Sequence, residues 1–248
     1  MGQKDFFLSK LEDAAQLAQQ KGLCVYLDFY EPSVQMLTER EIARYPGSEC
    51  AFFGGQEFCE RKLLAVFPAG EEPSPTEYPI ACLQVRGADG SLTHQDVLGA
   101  LLGLGIERDK TGDIHIRDGL IQFFVTEGLG DFVAENLTKI SRWDVEAKLL
   151  PLEEAAPMEP VFKEMDIIIP SMRMDAVIHT VYKLSRSEAA AFVKAEKVKL
   201  NHQPVSKPSV NVKEGDVVSV RTKGRFVVDA ITGSTKKGNL KLHIKKFS

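Results

Sequence analysis

A short segment around residue 186 combines the residue types that bind phosphate groups. Ser185-Arg-Ser-Glu188 is a capping box, in which a Ser hydroxyl and a Glu carboxylate satisfy free N–H groups at the start of a helix. A helix N-terminus carries partial positive charge, and Arg186 adds a guanidinium beside it. This arrangement predicts a phosphate site for structured RNA, which is recognised through backbone and shape rather than base sequence.

Further basic and polar residues extend the predicted RNA-binding surface on both sides of the capping box. We expect RNA contacts from Arg173, Ser185, Arg186, Ser187, Lys194, Lys197, Lys199, Asn201, Arg221, Lys223 and Arg225. Any one lysine is equally consistent with a solvated surface charge, so the prediction depends on the whole set. For Arg173 and Asp175 the competing interpretation is a local salt bridge, which we prefer for Asp175.

A second polar set surrounds a glycine-rich segment in the middle of the chain. Its members are His94, Asp96, Arg108, Lys110 and Asp113. The preferred interpretation is structural, with Asp96 capping a helix and residues 110–113 forming a turn before a strand. The alternatives are a secondary RNA or partner contact through His94, Arg108 and Lys110, and catalysis.

No motif for cofactor chemistry occurs in the chain. The glycines of residues 98–105 lack the G-x-G-x-x-G order of a nucleotide loop, and no P-loop sequence is present. The five histidines are scattered and the four cysteines are widely spaced, which favours buried free thiols over a disulfide or a zinc site. The sequence therefore predicts no catalytic residue, no cofactor and no metal site.

The charge of the chain is divided unevenly along its length. The 248 residues carry a net charge of −4. Residues 161–248 contain 17 Lys and Arg against 8 Asp and Glu, whereas residues 1–160 contain 14 against 27. Such asymmetry indicates that one part of the chain faces a polyanion. No apolar run approaches the roughly 20 residues of a membrane span, and no secretory signal is evident, so we expect a cytoplasmic protein without a membrane partner.

Two acidic, proline-bearing stretches, residues 68–79 and 151–160, mark the expected boundaries between modules. The pattern predicts an α+β protein of three small modules. These are an N-terminal α/β module (1–75), a ferredoxin-like module that is a candidate for RNA binding (76–160), and a small RNA-binding domain with a C-terminal β-hairpin (161–248).

Periodicity in the last two modules predicts their elements. Residues 80–149 follow the order β-α-β-β-α-β, with Ile140 on the second helix, and Phe123 and Phe124 are expected in the core rather than stacked on bases. In the third module a helix presents Met174, Val177, Ile178 and Val181 on one face, with Ser171 as its N-cap. A hairpin pairs residues 225–231 with 239–245.

The third module resembles the RNA-binding domain first seen in ribosomal protein S4. The resemblance is carried by Arg173-Met-Asp-Ala176, Ser185-Arg-Ser-Glu-Ala189, Val198-Lys-Leu-Asn201 and Gly215-Asp-Val-Val-Ser-Val220. Met174 stands where Leu is usual, and His202 replaces the usual Gly of a turn.

The whole chain resembles the bacterial YlmH family in the same three-part order. Phe29-Tyr-Glu-Pro32, Phe53-Gly-Gly55 and the run from His94 to Ile114 carry this resemblance, although Gln95 and Glu107 stand where basic residues are expected. The resemblance implies ribosomal RNA, tRNA and the large ribosomal subunit as partners, and a role in ribosome-associated quality control of stalled translation.

The residues and the resemblance together predict a noncatalytic, monomeric RNA-binding protein that associates with the ribosome. The main alternative is an enzyme that modifies ribosomal RNA or tRNA and uses the C-terminal domain as an anchor. A third possibility is an adaptor whose acidic N-terminal modules recruit a basic protein.

Overall fold

Mixed helices and strands confirm the predicted α+β class. The structure, a computed structural model, describes residues 3–88, 91–157 and 159–247. Its chain divides into two units, Met1–Met158 and Glu159–Ser248. Within the described residues, no helix is long and apolar enough to span a membrane.

The first sheet is a three-stranded antiparallel sheet covered by a long helix. Its elements are α1 (Gln3–Lys21), β1 (Val25–Tyr30), α2 (Pro32–Glu41), β2 (Ser48–Phe53) and β3 (Lys62–Pro68). The strand order is β1-β3-β2, so β3 is central and is almost entirely buried. Leu11, Ala14 and Ala18 recur along one face of α1, which packs against Leu64 and Val66 of β3 because only that face is apolar.

The second sheet has the predicted ferredoxin-like topology. Its elements are β4 (Ile80–Arg86), α3 (His94–Gly103), β5 (Thr111–Arg117), β6 (Leu120–Thr126), α4 (Gly130–Asn136), the small hairpin β7 (Lys139–Ile140) and β8 (Trp143–Asp144), and β9 (Glu146–Leu150). The order β5-β6-β4-β9, antiparallel throughout, is that of a split βαβ fold. The prediction that Ile140 lies on the second helix was wrong. That helix ends at Asn136, and Ile140 pairs with Trp143 in the small hairpin.

The two sheets of the first unit share a hydrophobic core. Phe29 and Leu63 of the first sheet pack in the same cluster as Phe124 of the second. Tyr78 and Ala155, from the two proline-bearing stretches, are buried in this cluster as well. Both stretches are therefore packed against the unit where the structure describes them; Met158, in the second stretch, lies outside the described residues.

The second unit packs two helices on one face of a six-stranded sheet. Its elements are β10 (Phe162–Ile169), α5 (Met174–Tyr182), α6 (Arg186–Lys194), β11 (Val198–Leu200), β12 (Gln203–Pro204), β13 (Val217–Val220), β14 (Gly224–Ser234) and β15 (Leu240–Phe247). The order is β10-β15-β14-β13-β11-β12, and β14 with β15 form the predicted hairpin. Periodicity did not indicate β10, whose pairing partner β15 lies more than 70 residues later in the chain.

Helix α5 begins later than the sequence suggested, so the prediction of Ser171 as its N-cap was wrong. Arg173 is the N-cap, with extended backbone at φ −62° and ψ 141°. The preceding residues are held by a neighbouring segment. The Met174 N–H donates to the Val210 carbonyl at 2.7 Å, and the Val212 N–H donates to the Met172 carbonyl at 2.8 Å. This extended pairing keeps residues 172–173 out of the helix.

The close contact between the two sheets of the first unit predicts that one added methyl group at Gly112 destabilises the protein. A Cβ at Gly112 would lie 2.9 Å from a ring carbon of Phe29 and 3.0 Å from Cβ of Phe124. We expect Gly112→Ala to lower the free energy of unfolding by about 1–3 kcal/mol through overpacking. Urea denaturation followed by circular dichroism would measure it.

Gly99→Ala is the matched control, because Gly99 lies within helix α3 and nothing lies within 4 Å of its added Cβ. We expect this change to stabilise the protein by roughly 0.5–1 kcal/mol through helix propensity. Equal destabilisation by both substitutions would contradict the packing argument.

Candidate nucleic-acid interface

The start of α6 has the predicted capping-box geometry. Ser185 is the N-cap; its Oγ accepts from the Glu188 N–H at 3.2 Å, and the Glu188 carboxylate accepts from the Ser185 N–H at 2.8 Å. The Ser185 and Ser187 hydroxyl oxygens lie 3.0 Å apart. The main-chain N–H groups of Arg186 and Ser187, in the first turn, have no partner within the helix. Arg186 itself is exposed.

Arg173 forms the salt bridge that competes with its predicted RNA contact. Its Nε and Nη2 donate to the two carboxylate oxygens of Asp175, at 3.0 and 2.6 Å. Hydrogen bonding from Arg173 lowers the pKa of Asp175, and the positive charge of Arg186 contributes in the same direction. Asp175 thus lies between two arginines, while 46% of the Arg173 side chain stays exposed.

The end of α6, the start of β11 and the turn after β13 bring further cations to the same region. Lys194, Lys197, Lys199, Arg221 and Lys223 are all exposed. The Arg221 N–H donates to the Lys197 carbonyl at 2.8 Å, which sets these residues side by side. The charge of Lys223 helps to lower the pKa of Glu188, after the larger effect of hydrogen bonds from Ser185, so this lysine lies near the start of α6.

Two predicted contact residues are engaged within the domain. Asn201 donates to Asp216 at 2.7 Å and accepts from the Val217 N–H at 2.8 Å, so both ends of its amide secure the turn between β11 and β12. The backbone of Asn201 and of His202 adopts positive φ there, which confirms the turn. Arg225 lies 4.0 Å above the ring of Phe247, in a cation–π contact.

Sequence reasoning did not single out two cations of this unit. Lys183 is exposed and ends α5 in the left-handed conformation, two residues before the capping box. Lys246 lies 4.8 Å above the ring of Tyr182. The one feature of the sequence that could have indicated Lys183 as a candidate contact is its position two residues before Ser185.

The second polar set is assembled largely for structure. Thr93 and Asp96 form a capping box at the start of α3, as predicted. Arg108 donates from Nη1 to the Thr111 carbonyl at 3.0 Å and the Gly112 carbonyl at 3.2 Å. Burial, together with the charge of Arg61, lowers the pKa of Arg108 to about 10.

Lys110 is paired with a buried acid, although 39% of its side chain stays exposed. Asp28 is 3% exposed and accepts from Lys10 at 2.8 Å and from Lys110. Of the three predicted secondary contacts, only His94 is exposed, at the first residue of α3. Partial desolvation, followed by the charge of Arg108, lowers its pKa. Phe123 and Phe124 are fully buried, which confirms the expectation that they belong to the core.

A capped helix start among exposed cations, on two helices packed against a small sheet, defines an S4-type RNA-binding protein. The S4 domain model matches residues 172–218, and the model described as "Putative RNA-binding domain in YlmH" matches residues 73–154. The chain belongs to the YlmH family, because it is 31% identical over 233 residues to the Ribosome-associated protein quality control protein P2 of Bacillus subtilis (strain 168). That alignment covers 93% of this chain and 90% of the relative.

Two further similarities cover smaller parts of the chain. Small ribosomal subunit protein uS4 of Desulfotalea psychrophila is 33% identical over 93 residues, which cover 36% of this chain and 44% of that protein. The solved structure of the Cell division protein ylmH from Streptococcus pneumoniae matches with a TM-score of 0.53 at 19% identity, over 62% of this chain and 95% of that one. At this level of identity the structural match speaks for the fold alone.

The pairing of Asp28 predicts a pH-dependent contribution to stability. Burial raises the pKa of Asp28, but Lys10 and Lys110 outweigh that effect, and the net shift is downward. We expect Asp28→Asn to lower the free energy of unfolding by about 1–3 kcal/mol at neutral pH, a figure discounted because both lysines are partly exposed.

Since the folded pKa of Asp28 lies below its unfolded value, this stabilisation is present above about pH 4 and is lost as the pH falls through the folded pKa. Urea unfolding across this range should show the wild type and the variant converging in acid. Asp131→Asn, at an exposed position of α4, serves as the control and should change little. A pH-independent difference for Asp28→Asn would contradict the assignment.

Proposed function

We propose that this chain is a noncatalytic RNA-binding protein that associates with the ribosome in the cytoplasm and acts in ribosome-associated quality control. The observation that carries the proposal is the capped N-terminus of α6, with Arg186 exposed on its first turn among the cations of the second unit. The name of the Bacillus relative supports the cellular role, and the two family models support RNA as the ligand.

The proposed binding mode uses phosphate contacts rather than base readout. The main-chain N–H groups of Arg186 and Ser187 point out of the first turn, where a helix favours anions, and the Arg186 guanidinium can donate two hydrogen bonds to one phosphate. Lys194, Lys197 and Lys223 extend the positive field without fixing a base. Such a surface suits a folded RNA with closely spaced backbones.

The proposed partners are ribosomal RNA of the large subunit and tRNA, bound by a monomer. The net positive charge of residues 161–248 supports an RNA contact in the second unit. The acidic excess before residue 161 would disfavour indiscriminate RNA binding by the first unit. His94 remains a proposed secondary contact, while Arg108 and Lys110 are engaged in holding the first unit together.

Arg186→Ala tests the phosphate site directly. We expect it to weaken binding of ribosomal particles by about 5- to 50-fold, equivalent to roughly 1–2.5 kcal/mol for a lost charge-assisted contact. The melting temperature should stay unchanged, because the side chain is exposed and fills no core volume. Co-sedimentation with purified large subunits at fixed salt would measure the affinity.

Arg40→Ala is the matched control, since Arg40 is an exposed arginine on α2 of the first unit. It removes the same charge from the chain and should leave the affinity unchanged. Wild-type affinity in Arg186→Ala would refute the proposed site, whereas equal losses in both variants would indicate a nonspecific charge effect.

The electrostatic binding mode also predicts a steep dependence on salt. If about 4–6 phosphates are neutralised, the logarithm of the binding constant should fall with the logarithm of salt concentration with a slope of roughly −3 to −5. Arg186→Ala should reduce the magnitude of that slope by roughly 0.7–0.9, which is the contribution of one phosphate contact. A flat salt dependence of the wild-type protein would contradict this model.

A further inference from the structure

Three side chains with metal-ligating atoms meet in the first unit. The Sγ atom of Cys59 lies 3.7 Å from Nε2 of His115. A carboxylate oxygen of Asp113 completes the group, and the three candidate ligand atoms all lie within 4.8 Å of one another. Cys59 comes from the loop between β2 and β3, and the other two residues alternate along β5, so they point to the same side of that strand.

We propose that Cys59, Asp113 and His115 form a binding site for a zinc-like divalent transition metal ion. Zinc bonds of about 2.3 Å to sulfur and about 2.0–2.1 Å to nitrogen, at a tetrahedral angle, place S and N roughly 3.6 Å apart. The 3.7 Å separation of Sγ and Nε2 matches that value without rearrangement. Thiolate, imidazole and carboxylate are the three ligand types that proteins offer to zinc.

The ligand atoms select the kind of metal. The positive charges of Arg61 and Arg108 act on Asp113 and oppose any cation there, so a bound ion must gain its affinity from strong bonds to its ligands. A thiolate and a carboxylate together neutralise a divalent ion. Only a metal that bonds well to sulfur uses both charges, so the site excludes Mg²⁺ and Ca²⁺ in favour of zinc and its chemical neighbours.

The surroundings hold the ligands in place, as the outer contacts of metal sites do. The Asp113 carboxylate accepts from the Glu60 and Arg61 main-chain N–H groups, the latter at 3.1 Å. The His115 ring packs edge-on against Phe124, with centroids 5.9 Å apart. A Cβ at Gly54 would lie 2.4 Å from Cβ of Cys59, so glycine there allows the loop to approach the site.

Burial affects the imidazole and the thiol of the site in different ways. Burial lowers the pKa of His115, which keeps the imidazole neutral and its lone pair available. Burial also raises the pKa of the Cys59 thiol to about 12, so a bound metal must displace that proton. The described residues supply three ligands, and a water molecule would take the fourth position.

The consequence for the protein is a cross-link within the first unit. The metal would join the loop after β2, in the first sheet, to β5 of the second sheet. A ligand that binds only the folded state stabilises it by mass action. Zinc should therefore raise the melting temperature of the full-length protein.

Cobalt provides the direct test, because Co²⁺ replaces Zn²⁺ and reports thiolate ligation through a charge-transfer band. We would titrate CoCl₂ into the reduced, chelator-treated full-length protein. The expected result is saturation at one equivalent, with the thiolate band and the visible absorption of a tetrahedral ion. ZnCl₂ should bleach both signals by displacement.

Cys59→Ser and His115→Gln should lose at least 10-fold in cobalt affinity, and Cys59→Ser should lose the thiolate band. Cys82→Ser is the matched control, since Cys82 is a buried thiol in the same hydrophobic cluster as Cys59. It should retain the site. Circular dichroism would establish that each variant is folded, and the two ligand variants provide independent tests if one of them is not.

Three results would overturn the proposal. These are the absence of a saturable one-equivalent signal in the wild type, persistence of the thiolate band in folded Cys59→Ser, and equal loss of affinity in folded Cys82→Ser. The proposed phosphate site at Arg186 lies in the second unit, so particle binding by Arg186→Ala tests the proposed function separately.

Discussion

The first unit depends on hydrogen bonds that satisfy the charged side chains lying between its two sheets. Arg61 donates to main-chain carbonyls of Phe29, Arg108 and Thr111, at 2.7, 3.0 and 2.9 Å, and thereby connects the two sheets. Asp113 makes a second connection between the sheets, because its carboxylate accepts hydrogen bonds from main-chain N–H groups of the loop after β2. A buried charge left without partners costs several kcal/mol, so these contacts define one arrangement of the two sheets. They also explain why the second polar set, which resembles a catalytic or RNA-binding set in the sequence, serves mainly to join the two sheets.

The second unit meets the opposite requirement, because its charges must stay outside. Its core is closed by apolar side chains of α5, α6 and the sheet, including Val177, Val193 and Phe226. The capping box joins Ser185 and Glu188 at the start of α6 without using the Arg186 side chain, which leaves that guanidinium at the surface. The two units therefore use charge differently: a buried acid and a few partly buried cations stabilise the first unit, and exposed cations cover the second.

Much of the fold could be predicted from local pattern. The capping boxes at Thr93 and Ser185 and the βαββαβ order all depend on residues close in sequence, and each is present. The start of α5 and strand β10 could not be predicted in this way. The first is set by pairing with residues 210–212 and the second by pairing with β15, contacts made only after the chain has folded back.

The sequence by itself determined the family, the class of fold and the RNA-binding character of the C-terminal domain, because motifs and net charge depend only on the order and type of the residues. Only the tertiary structure decided what individual polar residues do. It paired Lys110 with Asp28, engaged Asn201 in a turn, and brought Cys59 to His115 across 56 residues of sequence. The physical reason is that the role of a charge depends on its desolvation and its partners. Both are properties of neighbours in space, and no spacing along the chain specifies them.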